Sequence, residues 1–360
     1  MRIFAATPFY LQGPGAVARV GEVAARHGGR PGLVIDAFVR PLIGDALLAG
    51  FDTAPRMQIF DGEVTDGQID ELSARLAGCD VIIGVGGGKA LDAAKGVALR
   101  LQSVVVSVPT IASNDGPASR GIAIYDDMHR LVRVDQLPAN PVAVIVDSAI
   151  IARAPARFLK AGIGDAIAKT FEAQACSRAG ALTKHGTVAT HAALAIADAS
   201  YRLLRTHALA AVAAVEKSEL TEPLEATIEA CVLLSALGFE NGGLSIAHSV
   251  TRGLMTLTGA KDRLHGEQVA YGVLLQLAAE DRPDAVLEDM SQFLEAVGLP
   301  VSLTGLDVES ATPDLVTNLA DAILASPHVH AIDRLLTRDN LEIAIHRIEA
   351  LSVGRAFRRA

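Results

Sequence analysis

Cysteine is scarce in this 360-residue sequence: Cys79, Cys176 and Cys231 are an odd number, far apart and set among apolar residues. A disulfide-stapled scaffold is thereby excluded, and buried thiols in a reducing compartment are expected. Positive charge is also short. Thirty-two Lys and Arg stand against 41 Asp and Glu, a formal charge of −9, and no basic block is long enough to form a patch, which argues against nucleic acid as a partner. Every apolar stretch is broken by charge, Gly or Pro before the roughly 18 residues that a membrane span needs. The N-terminal segment MRIFAATPFYLQGPG lacks the basic region, apolar core and small-residue cleavage site of a secretion signal. A cytoplasmic protein with neither membrane nor nucleic-acid partners is expected.

What is present is apolar. Half the residues are hydrophobic and a fifth are charged, with 32 Gly and 15 Pro as punctuation, the composition of a folded chain. The length exceeds one ordinary core at about 100–200 residues per domain. The N-terminal region alternates short β-branched runs (Gly32 to Asp36, Arg56 to Phe60, Asp80 to Gly84, Ser103 to Pro109 and Pro141 to Asp147) with helical patterns over Ala16 to His27, Gln68 to Ala77 and Lys89 to Leu101. That alternation predicts βα units and a mostly parallel sheet. Beyond about residue 155, Ala- and Leu-rich segments with helical spacing take over. The expectation is an α/β domain over residues 1–154 and an all-α domain over 155–360, opened by Pro155.

Gly84-Val85-Gly86-Gly87-Gly88-Lys89 lies between a strand and a helix. Backbone amides there can approach a ligand closely, and the helix N-terminus favours an anion such as a pyrophosphate. The glycine spacing departs from the usual dinucleotide fingerprint, and no Ser or Thr follows Lys89 to make a Walker loop. A plain strand-to-helix turn is the alternative. Asp36, closing an earlier strand, could take both hydroxyls of an adenosine ribose and repel a 2′-phosphate, favouring NAD; a solvated strand end is at least as good a reading of this residue alone.

In the helical half, Asp165, His248 and His265 each sit beside glycine or small residues, in GIGD, LSIAH and RLHGE. One carboxylate and two imidazoles would leave a tetrahedral metal with one open position, as in catalytic rather than structural zinc. Spacing alone does not establish the site. His185 with His191, and His328 with His330, read as surface or packing histidines, and His129 follows two aspartates in a polar loop.

GVGGGKALDAAK (Gly84 to Lys95), PTIASND (Pro109 to Asp115), GIGDAIAKTFEA (Gly162 to Ala173) and the two histidine segments together resemble the iron-containing alcohol dehydrogenase superfamily, specifically its glycerol dehydrogenase branch. The order and distances agree from residue 1 to about 280. The resemblance implies dehydroquinate synthase-like architecture, with NAD in the cleft between an α/β domain and a helical domain. It implies a divalent metal on Asp165, His248 and His265. Iron-bearing members commonly add a histidine one turn after the aspartate, where this chain has Lys169, so three ligands point to zinc, with iron or another divalent ion as the alternative. By the same resemblance the pyrophosphate falls to Gly86, Gly87, Gly88 and Lys89, with Asp92 at the start of the next helix. Asp36 takes the adenosine ribose, and Thr110, Ser113, Ser119 and Tyr125 line the adenine and nicotinamide ends. Asp115 meets the substrate hydroxyls, and assembly into a homo-oligomer, an octamer in the family, is implied.

The implied activity is NAD-dependent oxidation of glycerol, or a similar small vicinal diol, to the hydroxy-ketone. Two departures bear on the substrate. The branch tends to read Thr-Asp-Ala-Pro where this chain has Asn114-Asp115-Gly116-Pro117, and small or apolar residues where it has Arg120-Gly121. Asp-Gly in this loop resembles the glycerol-1-phosphate dehydrogenases, and an arginine can pair with phosphate or carboxylate. A phosphorylated, carboxylated or amino-substituted polyol is therefore the alternative substrate. A dehydroquinate synthase-like lyase is a further alternative, disfavoured by the aspartate at 165 and by few basic residues in the site segments. An NAD-binding sensor is the non-enzyme alternative.

Overall fold

The strands of the N-terminal region form where Val and Ile crowd into short runs bounded by Gly, Pro and Asp. The computed structural model describes residues 1–309 and 311–359, those beyond 352 by backbone alone. The chain divides into two compact units. One comprises Ala5–Pro155 with Ala213–Leu233; the other comprises Met1–Phe4, Ala156–Val212 and Leu234 onward.

In the first unit β1 (Tyr10–Gln12), β2 (Pro31–Asp36), β3 (Arg56–Phe60), β4 (Val81–Gly86), β5 (Val104–Pro109) and β8 (Ala143–Val146) build one sheet, in the order β1-β8-β5-β4-β2-β3. Every pairing is parallel. A separate antiparallel pair is formed by β6 (Gly121–Tyr125) and β7 (Leu131–Gln136). The central strand β4 is buried along its whole length, as expected of a parallel sheet covered on both faces. Val34, Ile82 and Val105 pack toward the helices Asp66–Arg75 and Gly88–Leu101. Leu33, Ile35, Val81, Ile83 and Val85 pack on the other face, with Val20, Val23 and Leu47.

Strands β2 and β4 are neighbours, yet the chain leaves β2 for β3 on one side and β4 for β5 on the other. This reversal opens a crevice at the carboxyl ends of β2 and β4, the place where open α/β sheets bind ligands. Asp36 ends β2 and Gly86 ends β4.

The second unit is helical. Its core helix, His265–Ala279, buries almost every residue after the first turn, as an element apolar on all sides must. The helices Ala156–Ile167, Ile246–Leu254 and Asp284–Val297 pack around it. The observed fold is thus a doubly wound parallel α/β unit and an all-α unit.

The expected division at 154/155 does not provide for Ala213–Leu233, which belongs to the first unit. That segment carries the helix Glu222–Glu229, and Gln12 on edge strand β1 donates to the Glu225 carbonyl at 2.9 Å and to its carboxylate at 2.6 Å. Among the described residues no single helix is long and apolar enough to cross a membrane.

Candidate active site

The glycine turn shapes the crevice of the α/β unit. Gly86 has φ 147°, and a Cβ there would lie 2.8 Å from Cβ of both Asp36 and Ala90. Only glycine lets the end of β4 pass this close to Asp36. Gly87 precedes the helix Gly88–Leu101, and its backbone faces Ile111, while Gly88 faces the Asn114 amide. The loop after β5 therefore stands over the glycines. Thr110 continues the strand pairing, donating its N–H to the Gly86 carbonyl at 3.0 Å, and its side chain is buried. Asp36 turns one carboxylate oxygen on its own chain, accepting from the Phe38 and Val39 N–H groups at 2.9 and 3.1 Å.

Several predicted cofactor residues are engaged with neighbours. Lys89 donates to Glu63 at 2.7 Å, and the same Glu63 oxygen meets His129 Nδ1 at 2.6 Å. Asp92 accepts from Lys95 Nζ at 3.2 Å and, through its second oxygen, from the Ala123 N–H at 3.0 Å. Burial lifts the Asp92 carboxyl above its ordinary range against the pull of Lys95. Lys95, fully buried, also donates to the carbonyls of Gly116 at 2.7 Å and Gly121 at 2.9 Å. It pins the Gly116–Gly121 loop over the helix. Ser119 is buried, and its hydroxyl donates to the Gly116 carbonyl at 3.3 Å; Ser113 is half-buried, and Asp115 is buried in the same loop. The Tyr125 hydroxyl is pushed up to about 12, by burial first and by the Asp92 and Glu63 charges second, so it stays a neutral donor at any ordinary pH. Arg120 immediately precedes β6, and its carbonyl accepts from Leu137 N–H at 2.9 Å.

In the helical unit, three close approaches of backbone bring the ligating residues together. A Cβ on Gly164 would strike the Gly266 carbonyl, one on Gly266 the Ala161 carbonyl, and one on Gly272 the Ala247 carbonyl. Helices at such contact need glycine. The result is that one ligand atom from each of Asp165, His248 and His265 lies within 4.8 Å of the others. His248 Nε2 is 3.1 Å and His265 Nε2 3.7 Å from Asp165 Oδ1. The two rings are 5.3 Å apart between centroids. Asp165 is 1% exposed and the His265 side chain 46%, so the cluster is buried at its acid and open at one imidazole.

Two residues missing from the predicted set complete this cluster. Glu172 Oε1 accepts the N–H groups of Ser245 at 2.9 Å and His248 at 3.0 Å, capping the helix Ile246–Leu254, while Oε2 receives His248 Nδ1 at 2.6 Å. In the neutral ring that bond places the proton on Nδ1 and leaves the Nε2 lone pair toward Asp165, the usual arrangement behind a metal-ligating histidine. Burial works to raise Glu172, but the charge and hydrogen bond of His248 outweigh it, and Glu172 is held below its ordinary range. Burial works to lower His248, but Glu172 prevails over it and over Lys169, and the ring is pushed up to about 8. Lys169 is the second. Its Nζ donates to Asp165 Oδ1 at 2.7 Å and lies 2.9 Å from His248 Nε2. Against the cost of burial, Lys169 and His248 keep Asp165 ionised. Both residues fall in GIGDAIAKTFEA, Lys169 four and Glu172 seven positions after Asp165; the spacing puts them on one face with Asp165 but does not say whether that face looks at solvent or at a histidine. The donor set fits a divalent ion: one carboxylate and two imidazoles, one of them already oriented by a carboxylate.

A doubly wound α/β unit joined in one chain to a helical unit with such a donor set fits a metal-dependent enzyme. Residues 11–155 match the family model described as iron-containing alcohol dehydrogenase. Glycerol dehydrogenase of Thermotoga maritima is 42% identical over 316 residues, covering 87% of this chain and 86% of its own. Glycerol dehydrogenase of Escherichia coli O6:H1 is 40% identical over 350 residues, covering 96% and 95%. The crystal structure of a probable glycerol dehydrogenase from Sinorhizobium meliloti 1021 superposes with a TM-score of 0.92 at 36% identity, over 98% of this chain and 100% of its own. The chain belongs to the iron-containing alcohol dehydrogenase family, in its glycerol dehydrogenase branch. It is an enzyme acting on CH–OH groups of small alcohols, in a family dependent on NAD and metal.

Proposed function

We propose that this enzyme interconverts glycerol, or a similar small vicinal diol, and the hydroxy-ketone, with NAD as hydride carrier and zinc as the ion. The observation that carries the reading is the convergence of Asp165, His248 and His265, with Glu172 fixing the His248 tautomer. The glycerol dehydrogenases at 42% and 40% identity support the substrate class. Three protein ligands favour zinc, with iron or another divalent ion as the alternative. When bound, the ion supplies Lewis acidity toward an alcohol oxygen and NAD accepts the hydride.

The chain's own residues bind and orient. Asp36 accepts the ribose hydroxyls and repels a 2′-phosphate. The N–H groups of Gly86, Gly87 and Gly88, at the start of a 14-residue helix, receive the pyrophosphate. Lys89 is held beside this turn by Glu63. Thr110, Ser113, Ser119 and Tyr125 line the cofactor, while Asp92 acts through Lys95 and the Ala123 N–H. Asp115 accepts a hydroxyl of the diol and so selects the carbon that is oxidised. A cytoplasmic homo-oligomer is part of the same proposal.

A substrate panel followed by NADH absorbance tests it, comparing glycerol, propane-1,2-diol, glycerol-1-phosphate and 2-hydroxy acids by kcat/KM. Asp115→Ala is expected to lose more on diols than on simple alcohols, and equal losses would remove Asp115 from substrate recognition. His248→Ala is expected to lose bound zinc and turnover together; full activity would sink the metal assignment.

A further inference from the structure

The donor set that fits a divalent ion already contains a cation. Lys169 Nζ is 2.7 Å from Asp165 Oδ1 and 2.9 Å from His248 Nε2, two of the three atoms an ion would use. The side chains of Lys169 and Asp165 are each 1% exposed, and the ammonium lies 5.3 Å from the centre of the Phe239 ring, within cation–π range. The lysine is therefore seated in the site, with its stem enclosed and its charge on the buried carboxylate. Its position follows from the chain, since the residue four after Asp165 projects to the same side as Asp165 itself.

An ammonium at hydrogen-bond distance from Asp165 and His248 and an ion bonded to the same two atoms cannot coexist there. They compete for one lone pair on Nε2, and two like charges repel strongly at such separations in a buried site. We propose that Lys169 is a built-in competitor for the metal: it neutralises Asp165 before the ion arrives, and ion uptake is an exchange in which Lys169 must leave Asp165 and His248. The lysine sets the ion's affinity from inside the site. The protein gains a site that folds already neutralised, and holds its metal less tightly than the same three ligands would without Lys169. This inference rests on Asp165, His248 and His265 being the holders of the ion.

The test is zinc binding by the metal-stripped full-length protein, measured by competition with a chromogenic zinc chelator, without NAD or alcohol. Lys169→Met keeps the length and removes the charge; Lys169→Thr removes both. Each variant is expected to bind zinc at least about tenfold more tightly than the unaltered protein, given the like charge removed. The metal-stripped Lys169→Met protein is expected to melt at a lower temperature, and its gain in Tm on adding zinc is expected to exceed that of the unaltered protein. Equal zinc affinity would overturn the proposal by showing that Lys169 does not stand in the ion's way. Weaker affinity would overturn it by making Lys169 a ligand. Zinc binding by neither protein would overturn the metal reading as well, whereas lack of glycerol turnover with normal zinc binding would touch only the substrate. Should the variants not fold, the Nζ signals of 15N-lysine-labelled unaltered protein decide. One protected signal is expected to lose protection as zinc is added, and its persistence at saturation would overturn the proposal.

Discussion

Glu172 decides which nitrogen His248 offers. Its two oxygens take a ring N–H and two backbone N–H groups at one helix start, so a single side chain sets both the tautomer and the position of the ligand. Glu172→Gln keeps the shape and loses the charge, and zinc affinity is expected to fall about 10–100-fold, the usual weight of a residue behind a metal ligand. A chelator titration checks this; unchanged affinity would leave Glu172 with a capping role only. At the other cluster, Asp36 sits against Gly86 at the reversal of strand order. Asp36→Ala is expected to lower the preference for NAD over NADP by at least about tenfold, the weight of hydrogen bonds to a charged group, read as the ratio of kcat/KM values. Asp165, His248 and His265 were candidates because each lies next to a small residue, but it was the family resemblance, and not their spacing, that singled them out as a set. Glu172 and Glu63 were not candidates. Their partners are distant in sequence, and a lone glutamate in a helical or loop segment looks the same whether it faces solvent or a histidine.

Helices meet at the metal-type cluster through glycine, and this is where the elements are most sensitive. A methyl on Gly266 would occupy the space of the Ala161 carbonyl, so the helices Ala156–Ile167 and His265–Ala279 must move apart. Gly266→Ala is expected to cost about 1–3 kcal/mol or more, as overpacking does, and to weaken zinc binding by separating Asp165 from His265. Gly29→Ala, where a Cβ meets nothing within 4 Å, serves as the control and is expected to leave both unchanged. Thermal melts with and without zinc distinguish the two; a Gly266→Ala protein with unaltered zinc affinity would mean the helix contact does not position the site. The central strands were legible because β2, β4 and β5 are short runs dominated by Val, Ile and Leu. Four elements were not. β1 has only three residues and exists through its pairing with β8. The helix Arg40–Leu48 carries a weak pattern with Gly44 in its middle. β7 exposes Leu131, Val132 and Val134, so its apolar residues mark no buried face, and neither β6 nor β7 was among the expected strands.

Over the whole molecule the charge balance makes acid the condition that unfolds it. Glu63 is the clearest contributor, with a side chain only 7% exposed. Burial works to raise it, but hydrogen bonds from His129, Lys89 and the Val64 N–H outweigh that and hold it below the ordinary carboxylate range. Asp66 is likewise held down, chiefly by Arg133, and Glu172 by His248 against its own burial. For a carboxylate whose pKa is lower in the folded than in the unfolded chain, the stabilisation is complete above the unfolded value, near 4.3 for Glu, and disappears as pH falls through the folded value. The stabilisation these carboxylates supply should therefore hold from neutral pH down to about 5 and drop below it. There the formal charge of −9 reverses, leaving 32 Lys and Arg and ten His to repel one another. Glu63→Gln separates the linkage from this general repulsion. The variant is expected to be less stable than the unaltered protein at pH 7, because Lys89 and His129 lose their anion, and the difference should shrink as pH falls below the ordinary carboxylate range, where Glu63 itself takes up a proton. Urea melts of both proteins at matched ionic strength across that range measure the gap, and a gap that stays constant from pH 7 to pH 3 would show that Glu63 stabilises the fold by its shape and hydrogen bonds, not by its charge.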